Sequence, residues 1–215
     1  MNKTKEWIKK NQFYIAGTFF IILQLFLIYK YTHITRFSNM LWFCSHTPLI
    51  FGIAFFTKNT TIIKTLISVG LIPQVLWVID YLVKIFFGFF ILGATDYMFM
   101  DISGLSYTIS IVEHFFAAPL ALFLTYKYKT KKKVLLYALI YLVLLLTLTL
   151  TLSGEEFNYN LTRFIPIGEG ITFTGYTYFW IILTMLIVVI PTYYFQIFLQ
   201  RQHEKKQRKK RRKNL

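Results

Sequence analysis

The stretch KVLLYALIYLVLLLTLTLTLS, residues Lys133–Ser153, decides the fold class. After Lys133 it carries no charged side chain. A helix needs about 20 apolar residues to cross the roughly 30 Å hydrocarbon core of a bilayer. Leu and Thr alternate from Leu146 to Leu152, as in a strand, but the unbroken apolar run around them favours a helix. Threonine hydroxyls are tolerated there because they can bond to a carbonyl one turn back. The stretch therefore predicts a transmembrane helix.

Other runs share this length and composition. The predicted spans are Gln12–Tyr31, Asn39–Thr57, Thr60–Val83, Ser106–Tyr126, Lys133–Ser153 and Tyr176–Gln200. Hydrophobic residues make up 56% of the chain and charged residues 15%, whereas a soluble domain has about 25% charged residues. The sequence predicts an all-α integral membrane protein, a bundle of about six transmembrane helices formed by residues 1–200.

Lysine and arginine residues concentrate in alternate connecting segments. The N-terminal segment, Lys58 in the second loop, the lysines of the fourth loop between 127 and 133, and the C-terminal tail all fall on one side of a six-span arrangement. The opposite side has fewer cations, Lys30 and Arg36 among them, and most of the acidic residues. Because basic loops stay in the cytoplasm, we expect a multi-pass protein with both termini cytoplasmic.

The tail, residues 201–215, contains nine Lys and Arg residues between Arg201 and Lys213. Such a run is similar to a nucleic-acid-binding segment. In a chain with several spans, the simpler interpretation is a cytoplasmic anchor that attracts anionic lipid headgroups. We expect the tail to be disordered or a frayed end of the sixth span, and we expect no nucleic-acid partner.

Polar residues inside the spans lie near one level of the membrane. Ionisable groups at such depth are costly and usually face the bundle interior or a cavity. At about 1.5 Å per residue, those of the second and fourth spans lie roughly 8–12 Å below the outer edge. The polar residues expected at this level are Cys44, His46, Asp80, Tyr81, Glu113 and His114, with Glu155, Glu156 and Asn158 in the fifth loop above them.

These positions predict an outward-facing pocket between spans two, three and four, covered by the fifth loop. The inner halves of the spans show no comparable group. Two members have simpler interpretations. Asp80 could pair with Lys84, four residues further on, and His46 could be a core histidine bonded to a carbonyl.

The leading chemical hypothesis is acyl transfer through a thiol. Cys44 would be the nucleophile and His114 the base that removes its proton, with Glu113, Asp80 or His46 assisting. The level of the pocket matches that of lipid ester groups, so the expected substrate is an acyl lipid in the bilayer. This interpretation requires no cofactor.

Three alternatives stay open. In the first, His46, His114, Asp80 and Glu113 supply ligands for zinc, and a zinc-bound water attacks an ester or amide. In the second, the buried carboxylates and histidines line the pathway of a small carrier or channel. In the third, the protein is a membrane scaffold without catalytic activity.

Three short motifs carry a resemblance to a known group. LWFCSHTPL at 41–49, IVEHFF at 111–116 and GEEFNYN at 154–160 resemble segments of the YwaF-like bacterial membrane proteins, and the order of the six spans agrees. That group is distantly similar to the androgen-induced hydrolases of fatty-acid esters and to ether-phospholipid acyltransferases. The resemblance implies a nucleophile on span two and a histidine on span four, which are Cys44 and His114 here.

The chain also departs from that pattern. Ser45 and His46 stand where the group has an Asp after the cysteine. Glu113 replaces a Ser before the histidine, and the fifth loop has two acidic residues in place of Thr and Asn. An equal interpretation is therefore that the chain belongs to a separate six-span family, whose own chemistry is centred on Cys44-x-His46.

Overall fold

The computed structural model describes residues 3–100, 103–153, 158–163 and 172–213, and all regular structure in these ranges is helical. The α-helices are α1 (Lys3–His33), α2 (Phe43–Phe56), α3 (Thr60–Phe87), α4 (Gly104–Thr125), α5 (Lys133–Leu152), α6 (Tyr176–Thr184) and α7 (Ile190–Lys213). A π-helical segment, Met185–Val189, joins α6 to α7, and short 3₁₀ turns lie at Phe37–Leu41, Asp96–Phe99 and Tyr159–Leu161.

Within the described residues, five helices are long and apolar enough to cross a membrane. They are Lys10–His33, Thr60–Phe87, Gly104–Thr125, Lys133–Leu152 and the continuous helix Tyr176–Arg212. The sixth apolar helix, α2, has only 14 residues, or about 21 Å at 1.5 Å per residue. The all-helical prediction is confirmed, and the long apolar helices are those of a multi-pass membrane protein.

Helix α3 lies at the centre of the bundle and packs against α2, α4, α5 and α7. On the other side of α2, α1 packs closely, with the Phe20 ring stacked on Phe51 and Phe55 at centroid distances of 4.9 and 5.4 Å. Gly52 permits this approach, since a Cβ there would lie 2.6 Å from the Ile21 side chain. This close contact places the last turn of α1 beside the first turn of α2.

A buried glutamine joins α1 to α2 beside a proline. Pro48 lies inside α2 and has no N–H to donate to the Cys44 carbonyl, which accepts instead from Thr47 Oγ1 (3.2 Å). Gln24 Nε2 donates to the Ser45 carbonyl (3.1 Å), and Gln24 Oε1 accepts from Leu49 N–H (3.0 Å). The amide satisfies both backbone groups, which have no water to bond with at membrane depth.

A second buried polar group lies near the start of α3, contrary to the expectation that the inner halves lack one. Lys64 is 0% exposed and donates to Thr130 Oγ1 (3.0 Å), while Gln196 Nε2 donates to the Lys64 carbonyl and to Ser68 Oγ. Thirteen residues separate Lys64 from Trp77, or about 20 Å along the helix. Sequence reasoning missed this group because its other members are uncharged and Thr130 lies in a loop.

The basic tail is helical over its described part. Helix α7 continues to Lys213. The segment contains no glycine or proline, and Lys, Arg, Gln and Glu are good helix formers. Gln200 Nε2 donates to Glu204 Oε1 (2.7 Å) one turn further along. The tail therefore forms an exposed basic extension of the last helix.

Replacing Gln24 with methionine should destabilise the bundle. Gln24→Met keeps the side-chain volume but leaves the Ser45 carbonyl and Leu49 N–H without their partner, so we expect a loss of about 1–3 kcal/mol. Unfolding by SDS titration in mixed micelles measures this change. Gln12→Met is the control on the same helix, because no described hydrogen bond uses its side chain; equal stability of the two variants would contradict the bridging role.

Candidate functional site

The start of α2 and the middle of α4 bring three reactive side chains together. The Cys44 sulfur, a Glu113 carboxylate oxygen and a His114 ring nitrogen all lie within 4.8 Å of one another. Glu113 and His114 are 1% and 7% exposed, whereas Cys44 is half-buried. Cys44 and His114 are thus close enough for proton transfer after a small movement.

Ser110 links two further groups to this cluster. Its hydroxyl accepts a hydrogen bond from the Lys30 ammonium (2.8 Å), and its carbonyl lies 2.9 Å from His114 Nδ1. A carbonyl can only accept, so Nδ1 carries the proton and donates to it. In the neutral imidazole Nε2 then keeps its lone pair and can act as a base or as a metal ligand.

Lys30 supplies a positive charge to the buried cluster. It is only 5% exposed and lies close enough to Glu113 and Cys44 to interact with both electrostatically. Such a charge favours the thiolate form of Cys44 and the ionised form of Glu113. Lys30 is therefore the main cationic group of the site.

Aromatic side chains enclose the polar groups. The Trp77 ring of α3 stacks on His114 with centroids 4.1 Å apart. On the other side, the Tyr31 hydroxyl lies 2.8 Å from Ser45 Oγ. Tyr97, in the 3₁₀ turn between α3 and α4, lies beside Ser110 and Trp77; burial, and then the nearby Glu113, raises the pKa of its hydroxyl, which therefore stays protonated.

One oxygen of Glu113 has no partner. Oε1 is buried without any hydrogen bond. Oε2 lies 3.9 Å from His114 Nδ1, which is too far for a hydrogen bond. An unpartnered carboxylate oxygen in a lipid-embedded bundle is costly. This oxygen can therefore take up a proton or bind a ligand.

His46 belongs to a different environment. It lies two residues after Cys44, about 200° around the helix. Its Nδ1 lies 3.0 Å from the Met40 carbonyl, and its Nε2 lies 2.5 Å from the Tyr141 hydroxyl of α5. The structure places this ring against α5, outside the cluster, as in the interpretation of a core histidine bonded to a carbonyl.

Asp80 and Tyr81 also lie apart from the three reactive groups. Asp80 accepts four hydrogen bonds from the loop after α3, from Ile91 N–H, Leu92 N–H, Thr95 N–H and Thr95 Oγ1 at 2.7–3.1 Å. The expected ion pair with Lys84 is absent from the described residues, and Lys84 donates instead to the Gly88 carbonyl.

Tyr81 stacks on Trp77 and shares a hydrogen bond with the Tyr107 hydroxyl. Tyr81 thus links α3 to α4, while Asp80 anchors the α3–α4 loop, which carries Tyr97 into the site.

In the fifth loop, Glu155 and Glu156 lie outside the described residues. Asn158 Oδ1 accepts from Arg163 N–H (2.8 Å) and so helps to fold this loop. Asn160 has the more direct connection to the site. Its Oδ1 accepts from Phe43 N–H (2.9 Å), its Nδ2 donates to the Leu41 carbonyl (2.7 Å), and its φ of 55° is one that asparagine tolerates. It fixes the first residue of α2, beside Cys44.

The structure brings Cys44, Glu113 and His114 together, and sequence reasoning missed several of their neighbours. The missed residues are Lys30, Tyr31, Ser45, Trp77, Tyr97, Ser110 and Asn160. A lysine near the end of an apolar helix is usually a flanking charge. The one signal in the sequence was that Lys30 lies inside the predicted span Gln12–Tyr31. The structure extends this helix to His33, which places Lys30 about one turn before its end.

A comparison with known proteins found no match among protein-family models, curated protein sequences or solved structures. The resemblance described above therefore stays a prediction. The geometry of the site is the main basis for a functional assignment.

Replacing Asp80 with asparagine should loosen the α3–α4 loop. The amide NH₂ of Asp80→Asn would face N–H or O–H donors, so at least one charge-assisted bond of about 1.5–3 kcal/mol is lost. Hydrogen exchange of residues 91–95 should then be faster than in the wild type. Asp96→Asn is the control in the same loop, since Asp96 is exposed and bonds only to the next residue, Tyr97. Unchanged exchange in Asp80→Asn would refute the anchoring role.

Proposed function

We propose that the protein transfers or hydrolyses acyl groups of membrane lipids through a thioester on Cys44. The observation that supports this best is the approach of the Cys44 sulfur to within 4.8 Å of a His114 ring nitrogen. A nucleophile, a base and a group that orients the base are the parts that covalent acyl transfer requires. Here the orienting group is the Ser110 carbonyl, which holds Nδ1–H.

In the first step, Nε2 of His114 accepts the thiol proton, and the sulfur attacks the carbonyl carbon of an acyl ester. The resulting tetrahedral intermediate carries a negative charge on its oxygen. Lys30 is the nearby cation that can stabilise both this oxyanion and the preceding thiolate. The intermediate collapses to a thioester on Cys44, and the His114 imidazolium returns its proton to the departing alcohol.

In the second step, an acceptor attacks the thioester carbonyl. His114 removes the proton of that acceptor and delivers it to the departing Cys44 sulfur, which restores the free thiol. Water as the acceptor gives a hydrolase, and a lipid alcohol gives an acyltransferase. Both reactions use the same residues, so the accessibility of water to the thioester decides between them.

Lipid is the substrate class that fits the surroundings. Large apolar side chains are exposed along the spans, as a hydrocarbon environment requires. An apolar groove of about 450 Å³ is lined by Ile22, Leu25, Phe26, Tyr29 and Leu105. Its lining from α1 ends one residue before Lys30, and Leu105 lies five residues before Ser110 on α4. An acyl chain in this groove would bring its ester towards the Lys30 end of the site.

We assign the chain six crossings with both termini in the cytoplasm. The basic loops support this orientation, and α2 is the short sixth crossing. It links the end of α1 to the start of α3, and only Thr57–Asn59 separate it from α3. In this arrangement Cys44 lies towards the outer face and the Lys64 group towards the cytoplasm.

Labelling with an acyl probe tests the thioester. Wild-type protein in micelles, incubated with an alkyne-tagged fatty-acyl p-nitrophenyl ester, should acquire a label that neutral hydroxylamine removes. Cys44→Ala should not be labelled. His114→Gln should be labelled at least about 100-fold more slowly, since a general base contributes roughly 10²–10⁴-fold. His46→Gln is the matched control and should behave as the wild type; labelling of Cys44→Ala at the wild-type rate would exclude the thiol mechanism.

A membrane-impermeant maleimide tests the orientation. Single cysteines introduced into a Cys44→Ala background at Asn39 and at Lys131 should react from opposite sides of sealed cells. The Asn39→Cys protein should react in intact cells, and the Lys131→Cys protein only after permeabilisation. Reaction of both from the same side would refute the assignment.

A further inference from the structure

We infer that Cys44, Glu113 and His114 form a binding site for a divalent transition metal of zinc type. This inference uses the same cluster as the proposed acyl transfer, including the spacing of its atoms and the His114–Ser110 bond, but it does not require that reaction. A bound ion would occupy the sulfur and the free imidazole nitrogen, so metal binding and thioester formation exclude each other. Metal would therefore act as an inhibitor of the proposed enzyme.

The donor set is the first observation. Thiolate, imidazole and carboxylate are the three side-chain types that bind zinc. Bond lengths of about 2.0–2.3 Å in a tetrahedral site place ligand atoms about 3.3–3.8 Å apart. The three atoms here lie within 4.8 Å of one another on two helices, so a contraction of about 1 Å would close the site. Among the residues that the structure describes, no other group of histidine, cysteine and acidic side chains has this spacing.

The orientation of His114 is the second observation. Histidines that bind metals usually donate their other ring N–H to a carbonyl or a carboxylate. His114 Nδ1–H donates to the Ser110 carbonyl at 2.9 Å, and Nδ1 is also the nitrogen that lies 3.9 Å from Glu113 Oε2. Nε2 is the nitrogen with a free lone pair, so the imidazole has to turn towards the cluster when Nε2 binds the ion. His46 lacks a free nitrogen of this kind, because both of its ring nitrogens lie within hydrogen-bonding distance of the Met40 carbonyl and the Tyr141 hydroxyl.

The unpartnered oxygen of Glu113 is the third observation. Oε1 is buried and makes no hydrogen bond, although Glu113 is only 1% exposed. A cation would satisfy it. Charge balance favours a dication, since one thiolate and one carboxylate together carry two negative charges and the imidazole is neutral. The thiol proton leaves to solvent when the ion binds.

Lys30 should affect the two proposed activities of this site, acyl transfer and metal binding, in opposite directions. Its ammonium supports a thiolate and an oxyanion, but it repels a dication bound at the same cluster. Lys30→Met should therefore slow acylation of Cys44 and, in the same protein, tighten metal binding. A residue that served only to support the fold would not change the two measurements in opposite directions.

The test uses the full chain without a histidine tag, purified in detergent micelles and titrated with Co²⁺ and then with Zn²⁺. The wild type should bind one equivalent of Co²⁺ with a thiolate-to-cobalt charge-transfer band, which Zn²⁺ abolishes. Bound Zn²⁺ should also slow alkylation of Cys44 by a maleimide at least about tenfold. This second measurement needs no variant, so it stands even where a substitution impairs folding.

Variants assign the ligands. Cys44→Ser, Glu113→Gln and His114→Asn should each weaken Zn²⁺ binding by more than about 100-fold, because loss of an outer partner alone costs 10–100-fold. Lys30→Met should bind at least about tenfold more tightly. His33→Asn and His46→Asn are the matched controls and should bind as the wild type does.

The outcomes distinguish this inference from the proposed function. Equal binding by the wild type and all three ligand variants, or a Co²⁺ spectrum without a sulfur band, would overturn the metal site and leave the acyl-transfer proposal intact. Stoichiometric binding through Cys44 in a protein that the acyl probe never labels would support the metal site and refute the thioester mechanism.

Discussion

The hydrogen bond from the Lys30 ammonium to the Ser110 hydroxyl joins α1 to α4 inside the bundle, and the arrangement of the site depends on it. A buried lysine is costly and is stabilised by nearby acceptors and by an opposite charge. Ser110 provides the acceptor and Glu113 the charge. The same serine residue fixes the His114 ring through its carbonyl. One residue thus sets the positions of both the cation and the base.

The backbone around the reactive groups is held by side-chain amides from neighbouring helices. Gln24 bonds to the Ser45 carbonyl, next to Cys44, and Gln74 Oε1 accepts from Ala118 N–H, one turn after His114. Both contacts lie beside a proline, Pro48 in α2 and Pro119 in α4. Each buried amide bonds to backbone atoms of a neighbouring helix close to the reactive residues. These contacts join the helices and hold the backbone of the site at the same time.

The helices were predictable from the sequence because their apolar runs are long and uninterrupted. Recognising such runs needs no tertiary information. From the sequence, only a common membrane depth of Cys44, Glu113 and His114 could be predicted, since depth follows from counting residues. Which side of the bundle each residue faces depends on helix rotation, and this separated His46 from Cys44. The contacts of Asp80 and Asn160 lie between elements far apart in the chain, and no short motif marks them.

Glu113 and Lys30 have opposite electrostatic effects on the chemistry of Cys44. A carboxylate next to a thiol disfavours the thiolate, so a site built only for nucleophilic attack gains nothing from an ionised Glu113. A dication, in contrast, gains from the carboxylate and loses from the ammonium. In the proposed chemistry, the balance between these two buried charges decides whether the Cys44 sulfur attacks a carbonyl or binds an ion. A proton or a cation on Glu113 Oε1, which has no hydrogen bond, would shift that balance.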